Sequence, residues 1–122
     1  GQKTIAWETI HDLGWDVPRR FVAASVELVV VRARDAVHVL HGRCPHRLAP
    51  LSDAVVEAGR LVCPHHGWDL RLDTGRSEGV PGACVSRFRS WVDEGLVWVD
   101  GADLDAWSRS HQEPFREEDV IL

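Results

Sequence analysis

With 122 residues and a formal net charge of −5, the chain has the size of one globular domain, and a second full catalytic domain will not fit. Its Lys and Arg residues are scattered with no basic run, which argues against nucleic acid or an anionic membrane as a partner and favours one with a basic face. The longest apolar runs, such as "LVVV" at residues 28–31, fall far short of the roughly 18 to 20 residues a membrane helix needs.

No segment resembling a signal peptide precedes the first strand-like run, so a cytoplasmic location is expected. Gly1 in the place of an initiator, and the lack of any Met, read as a trimmed chain with room for an upstream targeting segment or a downstream domain. Three cysteines, Cys44, Cys63 and Cys84, are an odd set that does not suit a disulfide framework; metal binding in a reducing compartment fits better.

In chain order, short β-branched runs recur: "KTIAWETI", "RRFVAA", "VELVVVRARD", "AVHVLHG", "RLVC", "WDLRLDTG", "CVSRFRSWVD" and "GLVWVDG". Many short strands punctuated by Gly, Asp and Pro predict an all-β sandwich or small barrel. Alternation in "AVHVLHG" puts Val37 and Val39 on one face and His38 and Leu40 on the other. "DEG" at 93–95 reads as a tight hairpin turn. Beyond it, Asp103 is expected to cap a short helix that buries Leu104 and Trp107 and ends before Pro114. Glu113, Glu117, Glu118 and Asp119 then form an acidic, solvated tail.

The chemistry concentrates in "CPHRLAPLSDAVVEAGRLVCPHHGW", residues 44–68: Cys44-x-His46, sixteen intervening residues, then Cys63-x-x-His66. Two thiolates and two imidazoles suit a tetrahedral zinc site. They equally suit a [2Fe-2S] cluster with both Cys on one iron and both His on the other. Zinc fingers usually pair like ligands, whereas here each loop supplies one of each kind, which lets both loops straddle a binuclear centre.

At these residues the chain resembles the Rieske iron-sulfur family, whose signature is Cys-x-His followed by Cys-x-x-His. "CPHRLAPLSD" and "CPHHGWDLRLDTGRSEGVPG" are similar to the cluster loops and following turn of Rieske ferredoxins and ring-hydroxylating oxygenases, and "GLVWV" to the closing hairpin of the oxygenase type. The resemblance covers about residues 5–100. It implies an antiparallel β-sandwich with a smaller cluster-binding subdomain of two loops. On that reading residues 1–101 form the Rieske domain, with the subdomain at about 42–82, and residues 102–122 a short helix and acidic tail. One [2Fe-2S] cluster per chain is implied, ligated by Cys44, His46, Cys63 and His66, with no catalytic residue.

By the same resemblance His65 is not a ligand. It stands where the respiratory-complex branch has a further Cys, paired with one at the position of Ala49, so that branch's disulfide is absent. Trp68 and Leu70 occupy the positions at which that branch places Ser and Tyr hydroxyls near the cluster sulfurs. Hydrogen bonds to the sulfurs stabilise the reduced state, so their loss predicts a potential at the low end of the Rieske range, roughly −150 mV. Two ferric ions, two sulfides and two thiolates sum to zero, so reduction creates one net negative charge. Pro45, Pro50, Pro64 and Pro81 restrict the surrounding backbone, Leu48 and Trp68 are candidate shields, and Gly67 and Gly82 are read as points of close backbone approach. Ordinary turn and core chemistry accounts for the same residues equally well.

Cys84 is expected to point into the sandwich as a small apolar side chain. His38 and His41 face opposite sides of one strand and do not share an ion. His11 and His111 read as surface residues, and the six Trp as mostly core or sandwich edge.

The leading function is a stand-alone ferredoxin, more an electron-transfer component than an enzyme by itself, carrying one electron from a reductase to a terminal oxygenase or other redox enzyme. The alternatives are the Rieske domain of a ring-hydroxylating oxygenase, the small subunit of a nitrite-reductase-type complex, and a zinc-stabilised binding module. An oxygenase needs a mononuclear iron held by two His and a carboxylate, and after His66 only His111 remains. No coiled coil or large apolar patch assigns an oligomeric state.

Overall fold

A computed structural model describes residues 3–9, 14–23, 25–33, 36–44, 50–63 and 67–110. Among the described residues ten strands and one α-helix follow in order: β1 Lys3–Thr9, β2 Arg19–Ala23, β3 Val26–Ala33, β4 Ala36–His41, β5 Val55–Glu57, β6 Arg60–Val62, β7 Asp69–Arg71, β8 Arg87–Phe88, β9 Ser90–Asp93, β10 Leu96–Asp100 and α1 Gly101–Ser110. They form three antiparallel sheets, β1-β10-β9, β2-β3-β4-β8 and β5-β6-β7. The first two build the sandwich; the third belongs to the loop region between β4 and β8. No described helix is long and apolar enough to cross a membrane.

Strand β3 explains why "VELVVV" is almost continuously apolar: a strand covered on both faces gains by burying every position. Val29, Val31 and Ala33 enter a core shared with Leu40, Leu51, Leu61 and Leu70. Leu28 and Val30 enter a second core, with Val39, Phe88, Val97, Val99 and Leu104. The alternation expected in β4 holds, with Val37 and Val39 in the second core and Leu40 in the first.

The "DEG" turn is as expected: Asp93 pairs with Leu96 across Glu94 (φ 54°) and Gly95 (φ 77°), the positive-φ pair that matches strand twist. A second hairpin of the same design went unpredicted. Glu57 pairs with Arg60 across Ala58 (φ 51°) and Gly59 (φ 78°), which creates β5 within "AVVEAGR".

The C-terminal helix is capped by Asp100, not by Asp103. Helix α1 leaves β10 without a linker, so the Asp100 carboxylate accepts a backbone N–H of the first turn, that of Ala102, at 2.8 Å. Asp100 is 2% exposed and takes its counter-charge from the Arg89 guanidinium at 2.9 Å. Asp103 instead accepts the Arg89 backbone N–H at 2.9 Å. Leu104 is fully buried, worth about 2 kcal/mol. Trp107 packs on the second core and stacks on His41 with ring centroids 4.3 Å apart. Pro114 and the acids at 113 and 117–119 lie outside the described residues.

Candidate metal centre

Two loops rise from narrow necks in the β4–β8 region. At the first, Leu51 N–H donates to the Gly42 carbonyl at 2.8 Å and Arg43 is bridged to Pro50, which closes residues 43–50 into a loop with Cys44 near its base. The neck docks on β3 through Gly42 N–H, which donates to the Glu27 carbonyl at 2.9 Å. The Glu27 carboxylate accepts Arg43 Nε at 2.9 Å and Arg20 Nε at 3.1 Å. Burial pushes the Glu27 carboxyl up, but hydrogen bonds from Arg43 and then Arg20 outweigh it and hold the group below its ordinary range.

The second loop is the end of the β6–β7 hairpin. Cys63 N–H donates to the Trp68 carbonyl at 2.8 Å and Gly67 N–H to the Cys63 carbonyl at 2.9 Å. Cys63 and Trp68 thereby close on each other at the base of this loop. Gly67 makes the turn at φ +70°, and among the described residues a Cβ built there or on Gly82 would meet nothing within 4 Å. Both glycines serve backbone conformation, which corrects the expectation of close approach. Close approach occurs instead at Gly75, where a Cβ would lie 2.2 Å from the Val85 carbonyl oxygen.

Cys44 (0% exposed) and Cys63 (2%) lie in one apolar cluster with Leu51, Leu61, Leu70 and Leu72, against which Trp68 packs. Neither is in a disulfide. Paired buried thiols at the necks of two loops, each loop with a His two or three residues further on, fit the donor set of a [2Fe-2S] centre. Leu70 is buried where the hydroxyl-bearing branch is implied to have Tyr, so that position faces the same apolar cluster as the thiols. His46, His65 and His66, with Pro45, Leu48, Ala49 and Pro64, lie outside the described residues. Pro50 opens the 3-10 turn Leu51–Asp53, and Pro81 is exposed.

Residues 77–79 are tied to β7 by Asp69, whose carboxylate accepts Ser77 Oγ at 3.0 Å, Glu78 N–H at 3.0 Å and Gly79 N–H at 3.1 Å. The Glu78 N–H is the main cause of a lowered Asp69 carboxyl, against the opposing effect of burial. Glu78 in turn bridges the Arg60 and Arg71 guanidiniums, and Arg71 grips Asp73 with two bonds, which hold Asp73 at about 2. Sequence reading missed this ring of charges and the Glu27 clamp. The only local signal was the density of Arg and Asp in "WDLRLDTGRSEG".

Two expectations change here. Cys84 is exposed rather than tucked into the sandwich. Its bridge to Arg76 belongs to the loop region, where the side chain meets solvent and not a core face. Trp15 is 53% exposed, with the Arg32 guanidinium 4.0 Å from its ring centroid, while Trp68, Trp91, Trp98 and Trp107 are half-buried. His38 and His41 do lie apart: His38 Nδ1 accepts Arg87 at 3.2 Å, and His41 stacks on Trp107. His11 and His111 are outside the described residues.

The chain is 32% identical over 118 residues to chloroplastic pheophorbide a oxygenase of Oryza sativa subsp. japonica, a match covering 83% of this chain and 22% of that protein. It therefore spans about a fifth of the length of the curated relatives it matches first. Among solved structures, the ferredoxin of carbazole 1,9a-dioxygenase from Nocardioides aromaticivorans IC177 superposes with a TM-score of 0.75 at 27% identity, over 80% of this chain and 97% of that one. A chain from the complex of reduced oxygenase and oxidized ferredoxin in carbazole 1,9a-dioxygenase gives 0.72 at 26% identity, over 79% of this chain and 100% of that one. Because the model of the Rieske [2Fe-2S] domain matches residues 5–89, spanning both loops and the sandwich strands that carry them, this chain belongs to the Rieske [2Fe-2S] family.

Proposed function

We propose that this protein is a Rieske ferredoxin that takes one electron from a reductase and passes it to a terminal oxygenase, its cluster held by Cys44 and Cys63 on one iron and His46 and His66 on the other. The family places it in electron transfer or an oxygenase-associated role. The ferredoxin reading rests on one observation, the overlay on nearly the whole of the carbazole dioxygenase ferredoxin. When bound, the cluster supplies a reversible one-electron step. The chain's own part is to bury both thiols among Leu51, Leu61 and Leu70 and so limit water at the sulfurs. The two closed necks keep the loop bases in one arrangement, so that little reorganisation accompanies electron entry or exit.

Identity to a much longer oxygenase favours a second reading, the Rieske domain of such an enzyme. One experiment separates them. The protein is reduced with dithionite and mixed anaerobically with an oxidised carbazole-type oxygenase, and its visible spectrum is followed. Loss of one electron per chain supports the ferredoxin. A persistently reduced spectrum, together with a natural reading frame several times longer, assigns the chain to an oxygenase.

A further inference from the structure

Glu27 lies on β3, outside both loops, yet three contacts join it to the neck of the first. Its backbone carbonyl accepts Gly42 N–H at 2.9 Å, and its Oε1 accepts Arg43 Nε at 2.9 Å. A Cβ on Gly42 would come 3.0 Å from Glu27 Cγ, so strand and neck are in close contact. Arg43 immediately precedes Cys44, and Oε2 of the same carboxylate accepts Arg20 Nε at 3.1 Å. The Glu27 side chain is 18% exposed, against 36% for Arg43 and 56% for Arg20. One shielded carboxylate thus faces two more exposed guanidiniums. Solvent screens such a group less than a fully exposed one.

We propose that Glu27 is a positioning residue for the redox centre: it fixes the Arg43 guanidinium beside the Cys44 loop and offsets its charge, thereby keeping the reduction potential low. The inference rests on Cys44 being a cluster ligand. The reduced centre bears one more negative charge than the oxidised one, and nearby positive charge favours the more negative state. Without the Glu27 carboxylate, the net charge beside the Cys44 loop rises by one and the potential rises. Without the Arg43 guanidinium, Glu27 is balanced by Arg20 alone, the local charge falls by one and the potential falls.

The test is a redox titration of the cluster-loaded protein as wild type, Glu27→Gln, Arg43→Gln and the double variant. Gln keeps the length of Glu and an acceptor oxygen, so folding and the neck contact are largely preserved. A rise for Glu27→Gln, a fall for Arg43→Gln, a double variant near wild type, and single shifts that shrink with added salt are the expected results. Potentials that coincide, or that move in the same direction in both single variants as a loosened loop admitting water would cause, overturn the inference. Iron content of Cys44→Ala, measured alongside, separates the two levels. A cluster retained there sinks the ligand reading and this inference with it, whereas cluster loss with unmoved Glu27→Gln and Arg43→Gln potentials sinks this inference alone.

Discussion

Arg60 and Arg71 stand directly opposite each other across β6 and β7, two like charges on the hairpin that carries the second loop. Such a pairing is unfavourable in a sheet. Glu78 reverses it by bridging both guanidiniums from the segment that Asp69 ties to β7. Glu78→Gln should therefore lower stability by up to about 1 kcal/mol, more at low salt than at high, since the groups are partly exposed. The temperature at which the visible cluster bands bleach, compared at two ionic strengths, checks this; a loss independent of salt would mean that the bridge acts by packing rather than charge.

The buried thiols and the exposed one should differ in chemistry. In the loaded protein a thiol reagent is expected to modify Cys84 alone, with Cys44 and Cys63 reacting only after the iron is removed. Cys84→Ser should leave the visible spectrum intact, Cys63→Ala and His66→Ala should abolish the cluster, and His65→Ala should retain it. Mass spectrometry of the labelled protein and iron analysis of the variants give the readouts. Cluster loss in His65→Ala with retention in His66→Ala would reverse the ligand assignment.

His38 makes stability fall on the acid side. Burial first, then the Arg87 guanidinium, lowers its pKa from 6.5, with Asp73 opposing. The folded state therefore prefers neutral His38, whose Nδ1 accepts from Arg87, while Arg87 Nε also holds the Leu72 carbonyl at 2.9 Å. The contribution is present in full above pH 6.5 and is lost as pH falls below that value through the lowered folded one. A His38→Gln variant should show a flatter stability profile over that interval, measured by denaturant titration at several pH values. An unchanged slope would remove His38 from the account.

Replacing the apolar side chain at Leu70 should raise the potential. Leu70 is fully buried in the cluster that contains Cys44 and Cys63, at the position where the hydroxyl-bearing branch is implied to have Tyr. With Leu70, a midpoint at the low end of the Rieske range, roughly −150 mV, is expected. Leu70→Tyr introduces a donor at that position and should move the midpoint upward, whereas Leu70→Phe, similar in bulk without the hydroxyl, should not. Equal shifts in the two variants would attribute the effect to packing.

Much of this protein is legible from local pattern. A β-branched apolar run marked β3, period-2 alternation marked β4, turn chemistry marked the Glu94–Gly95 hairpin, and the Cys-x-His and Cys-x-x-His spacing pointed to the two loops, because each is set by residues adjacent in the chain. Tertiary structure decided what depends on neighbours distant in sequence. Strand β5 exists because Val55 and Val56 find partners in Val62 and Leu61 across an Ala-Gly turn that carries a weak turn signal. Asp100 rather than Asp103 caps α1 because β10 delivers it, buried, to the helix start and to Arg89. Cys84 faces solvent because its neighbour Val85 is the residue that enters the first core. Glu27 reaches the first loop only because the antiparallel pairing of β3 with β4 sets Leu28 beside His41 and so brings Glu27 against Gly42 and Arg43. Alternation tells which face a residue takes, but not which distant side chain it will meet there.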